Sequence, residues 1–580
     1  LAAKGLRPVL FQETTMMKIR SKSWRRVLAV AVLIGSLSRV AAATGKEIDL
    51  VENGTSAYAI VIAADAPRPV RMAAEELQRY LQNISGAVLP ITSAASKPMV
   101  VAIRLADASD RSLAGQGEDA YLMRSEGEKI VLVGNCPRSA LYAVYAFLEK
   151  HLGCAWCVPG DDTVPQRHTI RLRPFDDTVA TPAFSMRQII LYPYHAALLT
   201  KNNIPHTDWL TKNRLNWAHP APNAPYVWER TRSRELFLPE VEKRGLLLEV
   251  GGHTFNTWVP KDRYAASHPE YFALQADGTR AADGTHKAGL CLSQPEVLKT
   301  VTENMIHWLD ENPEVDAVDL WHNDSDTYCY CPNCTGSGLS GQAANAAYTR
   351  TYVRFANAVA EEVAKRHPRV LINYLAYAHT LDCPPDAPRL RDNILLGLCL
   401  FPRPGQRTMR PIETSPQKLD TRLRQQLAAW PKLAKHFYVY EYYTVGQEYK
   451  KWSMVSMMCQ DIQYFHRLGI HGISSDQWGP GWYPLNMYAF ARLTWTPDLS
   501  PKTIVEDFCR GYYGAASGPM SAYWNLLEEG LRESWQTDKP IDWRDAQRLE
   551  LVKKALASAD SDQVKRRIWE TTALHQLAVP

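Results

Sequence analysis

The stretch VDAVDLWHNDSDTYCYCPNCTG, residues 315–336, passes within a few positions from apolar β-formers to a run of polar and soft ligands. Val315, Ala317, Val318 and Leu320 predict a buried strand, and His322, Asn323, Asp324, Asp326, Cys329, Cys331 and Cys334 follow it. Carboxylates and imidazoles at the end of a buried strand suit acid–base chemistry, because α/β enzymes gather reacting groups at the carboxyl ends of their strands. Other apolar segments end in the same way. GLLLEVGGH closes on Gly251-Gly252-His253 with Trp258 just beyond, and VLINYLAYAH closes on Tyr377 and His379. HFYVYEYYT carries Glu441-Tyr442-Tyr443, and GIHGISSDQW carries Asp476 and Trp478 with Trp482 after it.

Sugar chemistry accounts for this set. Glycoside cleavage passes through an oxocarbenium-like state and uses one carboxyl as acid and another as base, nucleophile or orienting group. Aromatic rings stack on the apolar faces of pyranose rings while a few polar groups hold the hydroxyls. The candidate catalytic carboxylates are therefore Glu441, Asp324 and Asp476. The candidate substrate contacts are His253, His322, Asn323, Tyr442, Tyr443, Trp258, Trp478 and Trp482. Each histidine also fits a hydrogen-bonded structural role, and Asp324 also fits a loop aspartate capping the next turn.

The thiols point elsewhere. Cys329-x-Cys331-x-x-Cys334 suits tetrahedral zinc, with Cys291 in GLCLSQPEV as the fourth ligand. One or two disulfides compete with that reading, and so do free thiols. An all-cysteine set leaves no open coordination position, so such a zinc would be structural, and the catalysis itself calls for no cofactor. Cys154 and Cys157 form C-x-x-C after a helix and read as structural rather than redox-active; Cys399, Cys459 and Cys509 sit in apolar segments as buried thiols.

Eight strand segments alternate with helical ones across residues 183–497: FSMRQIILY, RLNWAH, GLLLEVGGH, VDAVDLWHN, VLINYLAYAH, NILLGLCLF, HFYVYEYYT and GIHGISSDQW. Between them, Tyr348, Tyr352, Phe355 and Val359 recur at helical spacing and mark a buried face. The pattern predicts an α/β fold whose centre is a (β/α)8 TIM-type barrel. Residues 46–178 predict a small α/β domain in front of it, and 498–580 a helical annex, whose uncapped ending leads us to expect further C-terminal sequence. Residues 1–15 read as translated upstream sequence. Residues 16–43 read as a signal peptide, with a basic n-region, the apolar run VLAVAVLIGSL and an Ala41-Ala42-Ala43 cleavage site. The expected product is exported, periplasmic or secreted, with no membrane span. Residues 1–43 hold eight of the 66 Lys and Arg and one of the 61 Asp and Glu, which leaves 58 basic and 60 acidic residues in the rest. That balance gives no electrostatic footprint for nucleic acid.

GGHTFNTWVP, HPEYFALQADGTR, GLCLSQPEV, HNDSDTYCYCPNC and RFANAVAEEVAKRHP, in that order, resemble the exported family called domain of unknown function 4838. The resemblance runs from about residue 46 to 520. Part of that family is classified as glycoside hydrolase family 163, endo-β-N-acetylglucosaminidases acting on complex N-glycans. The leading domain resembles the accessory domain that precedes the barrels of β-hexosaminidases and α-glucuronidases. The resemblance implies a glycan substrate with β-linked N-acetylhexosamine, and it carries over to His253, Asp324 and Glu441. Substrate-assisted catalysis would fit the related hexosaminidases, but the Asp-Glu doublet usual after their fourth strand is missing, since Asp324 is followed by Ser325 and Asp326, so retaining, inverting and substrate-assisted mechanisms all stay open. Two alternatives stand beside it. One is an α-glucuronidase-like exo-hydrolase, with Arg187, Arg403 or Lys201 reading the uronate; the other is a non-catalytic glycan-binding barrel.

Overall fold

The N-terminal α/β domain is built on short apolar strands. After β1 (Ile48–Val51), β2 (Ala59–Val61), β3 (Ile91–Thr92), β4 (Val100–Leu105), β5 (Tyr121–Glu126) and β6 (Lys129–Gly134) form a sheet in the order β3-β2-β4-β6-β5. Only β5 runs antiparallel to its neighbour, and β7 (Ile170–Leu172) returns to pair with β1. The helix Arg68–Ser85 has proline in its first turn and stops at Gly86, whose φ of 86° is the left-handed conformation a glycine cap takes without strain. This helix and Pro137–Lys150 carry the domain's core, with Leu77, Leu81, Tyr145 and Phe147 fully buried. The structure is a computed structural model describing residues 46–94, 98–176, 179–191, 203–220, 233–280, 289–324, 328–401, 410–443, 453–477, 484–537 and 539–575. The segment read as a signal peptide lies outside these. No helix among the described residues is long and apolar enough to cross a membrane.

Eight parallel strands then close a barrel. They are β8 (Met186–Leu191), β9 (Trp217–His219), β10 (Leu247–Val250), β11 (Ala317–Asp319), β12 (Leu371–Ala376), β13 (Ile394–Cys399), β14 (His436–Glu441) and β15 (Gly472–Gln477). Each lies within one of the eight segments read as strands. The ring is sealed by β15 against β8, from Gly472 opposite Met186 to Gln477 opposite Leu191. Alternation sorts the side chains. Met186, Trp217, Ala317, Leu395 and Tyr438 fill the lumen, while Ile189, Leu248, Val318, Ile372 and Val439 face the surrounding helices. Gly397 leaves room for the Tyr438 ring to lie across the lumen, since a Cβ there would sit 2.5 Å from the ring.

Four C-terminal helices follow: Pro501–Tyr513, Ser517–Thr537, Asp545–Ser558 and Asp562–Leu574. The last was not foreseen from the sequence. Glu528 ties the annex to the barrel by accepting the Val455 and Ser456 N–H groups at 3.0 and 3.1 Å, at the start of the barrel helix Val455–Arg467. A carboxylate there satisfies orphan donors and opposes the positive end of the helix dipole.

Asp119 of the N-terminal domain joins it to the barrel. Its carboxylate accepts from Arg138 at 2.8 Å, Arg187 at 2.6 Å and Asn216 at 2.8 Å. Arg187 is thereby corrected as a uronate reader. It lies fully buried near the amino end of β8, and it also donates to the carbonyls of Arg214 and Phe184. A cavity of about 640 Å³, lined by Tyr121, Glu149, Arg214, Arg492 and Trp495 among others, occupies the crevice between this domain, the barrel and the annex.

Candidate active site at the barrel mouth

Strand parity decides which side chains reach the carboxyl-end mouth. On β14 and just beyond it, Tyr438, Tyr440 and Tyr442 belong to the lumen, as do Cys399 at the end of β13 and Trp321 two residues past β11. Tyr440 donates to Asp476 Oδ2 at 2.7 Å, which places this buried carboxylate on the lumen side of β15. The Trp321 ring meets Tyr440 edge-on, 5.6 Å between centroids, and Tyr442 lies 5.4 Å from Tyr440. The Trp321 indole N–H is buried without a hydrogen-bond acceptor.

Glu441 ends β14 fully buried, with its Oε2 accepting the Tyr442 N–H at 3.0 Å. The Cys399 thiol touches the Tyr442 hydroxyl at 3.2 Å. Burial, with the charges of Asp476 and Glu441 adding to it, pushes that thiol up to about 12. Along β14 Glu441 shares the helix-facing phase of Val439 and Tyr443, whereas Asp476 has the lumen phase. Asp324 stands exposed on the rim, where its Oδ1 accepts from the Tyr377 hydroxyl at 3.0 Å. His253 bridges to Trp321 in parallel fashion, and its Nδ1 lies 2.5 Å from the His322 carbonyl oxygen. Its ring stands 5.7 Å from Trp321 and 6.1 Å from Tyr377. The structure thus gathers Asp476, Asp324, His253 and Tyr442 with Trp321, Tyr377 and Tyr440 at the mouth.

Three expected substrate contacts lie behind it. Trp258 sits in the helix-facing core against Trp308, its indole donating to Thr254 Oγ1 at 3.1 Å. Tyr443 has the opposite parity from Tyr442, and its hydroxyl donates to Asp461 at 3.3 Å. His322 is buried between Tyr377 and Tyr352, with Nε2 at 3.2 Å from both the Tyr377 carbonyl and the Thr380 hydroxyl. Burial and the neighbouring His253 pull its pKa down to about 4, so it is neutral at physiological pH. Asn323 is buried beside it. Trp478, Trp482, Arg403 and Lys201 lie outside the described residues.

Sequence reasoning missed a second polar set one layer deeper in the lumen. Glu249 on β10 accepts from Gln188 at 2.8 Å and from Asn373 at 2.6 Å, and Ser474 donates to Gln188 at 2.7 Å. His219 Nε2 stands 3.3 Å from Asp319 Oδ2, and all three of His219, Glu249 and Asp319 are fully buried. Burial and then the Asp319 charge push Glu249 up to about 8, while burial raises Asp319 well above the carboxylate range. Desolvation holds His219 down. The available signal was a single acid at lumen parity inside each apolar strand, LLEV and AVD.

All eleven cysteines stand as free thiols in this structure. Cys291, Cys329, Cys331 and Cys334 are buried with their sulfurs converged. Cys154 and Cys157 are buried too, and burial pushes each thiol up to about 12, away from the reactive thiolate.

A family model described as "Domain of unknown function (DUF4838)" matches residues 156–525, more than half of the chain. The chain belongs to the DUF4838 family. Every mouth residue described above falls within the DUF4838 match. A second model, "Glycosyl hydrolase family 67 N-terminus", matches residues 46–147. No curated protein matches the chain. Among solved structures, the DUF4838 chain resembles BtGH115A, a family GH115 4-O-methyl-α-glucuronidase with specificity for decorated arabinogalactans. That likeness has a TM-score of 0.61 at 14% identity, covering 92% of this chain and 72% of that one. A GH138 enzyme targeting pectin rhamnogalacturonan II gives 0.57 at 11%, covering 90% and 85%. CpGH84B gives 0.53 at 9%, covering 92% and 87%. At these identities the likeness is one of fold.

Proposed function

We propose that this DUF4838 protein is an exported glycoside hydrolase that cleaves a β-linked N-acetylhexosamine-containing glycan, in the manner of an endo-β-N-acetylglucosaminidase. The observation that carries the reading is Asp476, a buried carboxylate facing the lumen and held by Tyr440 beneath a wall of Trp321, Tyr377 and Tyr442. Aromatic walls around a carboxylate are what sugar-ring stacking and oxocarbenium chemistry ask of a site. In this reading Glu441 moves the proton, its carboxyl turning at the end of β14 from the phase of Tyr443 into the mouth. Asp476, already accepting a hydroxyl hydrogen bond, orients the 2-acetamido group or stabilises developing positive charge. Asp324 with Tyr377 holds the sugar at the rim.

The match to a family 67 N-terminus and the likeness to a GH115 α-glucuronidase favour a second reading, an α-glucuronidase-like exo-hydrolase. With Arg187 committed to Asp119, that reading needs its uronate-binding cation from another residue.

The two separate on substrates. The protein would be assayed for glycan release from a complex N-glycoprotein and for hydrolysis of an aryl α-glucuronide, alongside Glu441→Gln, Asp476→Asn and Asp324→Asn. Glycan release that falls by about 100-fold or more in Glu441→Gln and Asp476→Asn, the order expected for losing an acid–base group, supports the first reading. Hydrolysis of the glucuronide alone replaces it with the second. Binding without turnover, unchanged by either substitution, makes the barrel a lectin.

A further inference from the structure

Cys291 arrives from the segment that follows β10, and Cys329, Cys331 and Cys334 from the segment that follows β11. The four Sγ atoms lie within 4.8 Å of one another, with Cys291 at 3.6 Å from Cys331 and 3.9 Å from Cys334. A disulfide requires about 2.05 Å. Four sulfurs at about 2.3 Å from a central zinc stand about 3.8 Å apart along each tetrahedral edge. The observed spacings are those of ligands around a shared centre, not of bonded pairs. We propose that Cys291, Cys329, Cys331 and Cys334 hold one structural Zn²⁺.

The surroundings suit thiolates. The Ser293 hydroxyl lies 3.3 to 3.5 Å from the sulfurs of Cys291, Cys331 and Cys334, and the Leu274 N–H donates to Cys329 Sγ at 3.3 Å. Such donors around a metal-bound sulfur fix its orientation and offset its charge. Cys331 precedes and Cys334 lies within a single helical turn, Pro332–Thr335, where the Cys334 N–H reaches the Cys331 carbonyl at 3.0 Å; the turn brings both sulfurs to one side. Four buried thiolates close the coordination sphere and leave no position for water or substrate, so the metal acts on the fold rather than on the reaction.

The clasp would hold one wall of the mouth. It joins the strap around Phe272 and Leu290, which pair with each other, to Tyr328 and the cysteines that follow it. Tyr328, next to Cys329, stacks on Tyr330 at 4.7 Å and on Tyr348 at 4.8 Å, and lies 4.5 Å from His379. A metal at the cysteines thus anchors Tyr328 against His379, which packs on His322 at 4.6 Å. This inference does not rest on the hydrolase reading, and its test measures no activity.

The full chain, purified without immobilised-metal chromatography or chelator, would be analysed for metals and for thiols after denaturation. We expect one zinc per chain, and an X-ray absorption spectrum of the unmodified protein with four sulfurs at about 2.3 Å. Cobalt exchanged into the site would give the intense visible bands of a tetrahedral thiolate complex. Cys329→Ser and Cys334→Ser would each lower the zinc content several-fold. Metal-free protein with eleven titratable thiols overturns the proposal, as do disulfide-linked peptides joining residues 291 and 329–334. Iron in place of zinc, or a nitrogen and oxygen shell around the zinc, overturns it as well. The absorption spectrum decides the matter even if the serine variants fail to fold.

Discussion

Glu249 takes hydrogen bonds from Gln188 and Asn373 on both of its oxygens, yet burial and the Asp319 charge still push it up to about 8. Its ordinary value, 4.5, describes the unfolded chain. Between those two values the folded protein binds the proton and the unfolded chain has released it, so stability is greatest below the lower value and is lost as pH rises through the upper one. Thermal unfolding followed from pH 5 to 9 should show the parent melting earlier with each step up to about pH 8 and levelling off above it, while Glu249→Gln, which keeps the shape and has no proton to lose, follows a flatter course. Equal slopes would mean that Glu249 is already ionised at neutral pH. This set escaped the sequence reading because attention went to the carboxyl ends of the apolar segments, where Asp324, Glu441 and Asp476 stand, whereas Glu249 lies inside β10 and Asp319 closes the short β11 five residues before Asp324. Tyr443 misled for a related reason, and Trp258 because it falls in the short helix Phe255–Trp258, where strand alternation no longer applies. An aromatic close to a strand end faces the mouth or the helices according to a one-residue phase, and neither composition nor proximity reveals that phase.

The turn Gly251-Gly252 shows how an element serves those carboxyls. Gly251 has a φ of 143°, and a Cβ built on it would fall 2.5 Å from the Asp319 Cβ. The pair of glycines lets the end of β10 pass over the Asp319 side chain before the chain rises to His253. Gly251→Ala combines backbone strain with a clash against a fully buried neighbour and should cost about 1–3 kcal/mol. Urea unfolding measures the loss; an unchanged midpoint would show that the turn relaxes freely. The strands themselves were easy to read. Parallel strands covered on both faces appear as near-continuous apolar runs such as ILLGLC, set off by amphipathic helices. β5, YLMRSE, was missed because its polar second half hides an antiparallel edge strand. The four cysteines were legible as a cluster by spacing, but only the fold brings Cys291 across from the neighbouring segment.

At the scale of the molecule, Asp119 neutralises two buried guanidiniums, Arg138 and Arg187, and they lower its pKa against the desolvation that opposes ionisation. Asp119→Ala strands both cations and should cost about 3–5 kcal/mol, the range for breaking a buried pair from one side. The denaturant midpoint of the full chain would fall accordingly; a variant as stable as the parent would mean water replaces the carboxylate. The order of synthesis gives this bridge another meaning. β8 and β15 seal the ring, but about 280 residues separate the end of one from the start of the other. At roughly 5–20 residues per second the ribosome leaves the seam of β8 without its partner for about 15 to 55 seconds. Asp119, made earlier, already grips Arg187 on β8 and Asn216 just before β9. The leading domain thus gives the first two staves of the barrel partners that do not depend on the last stave to be made.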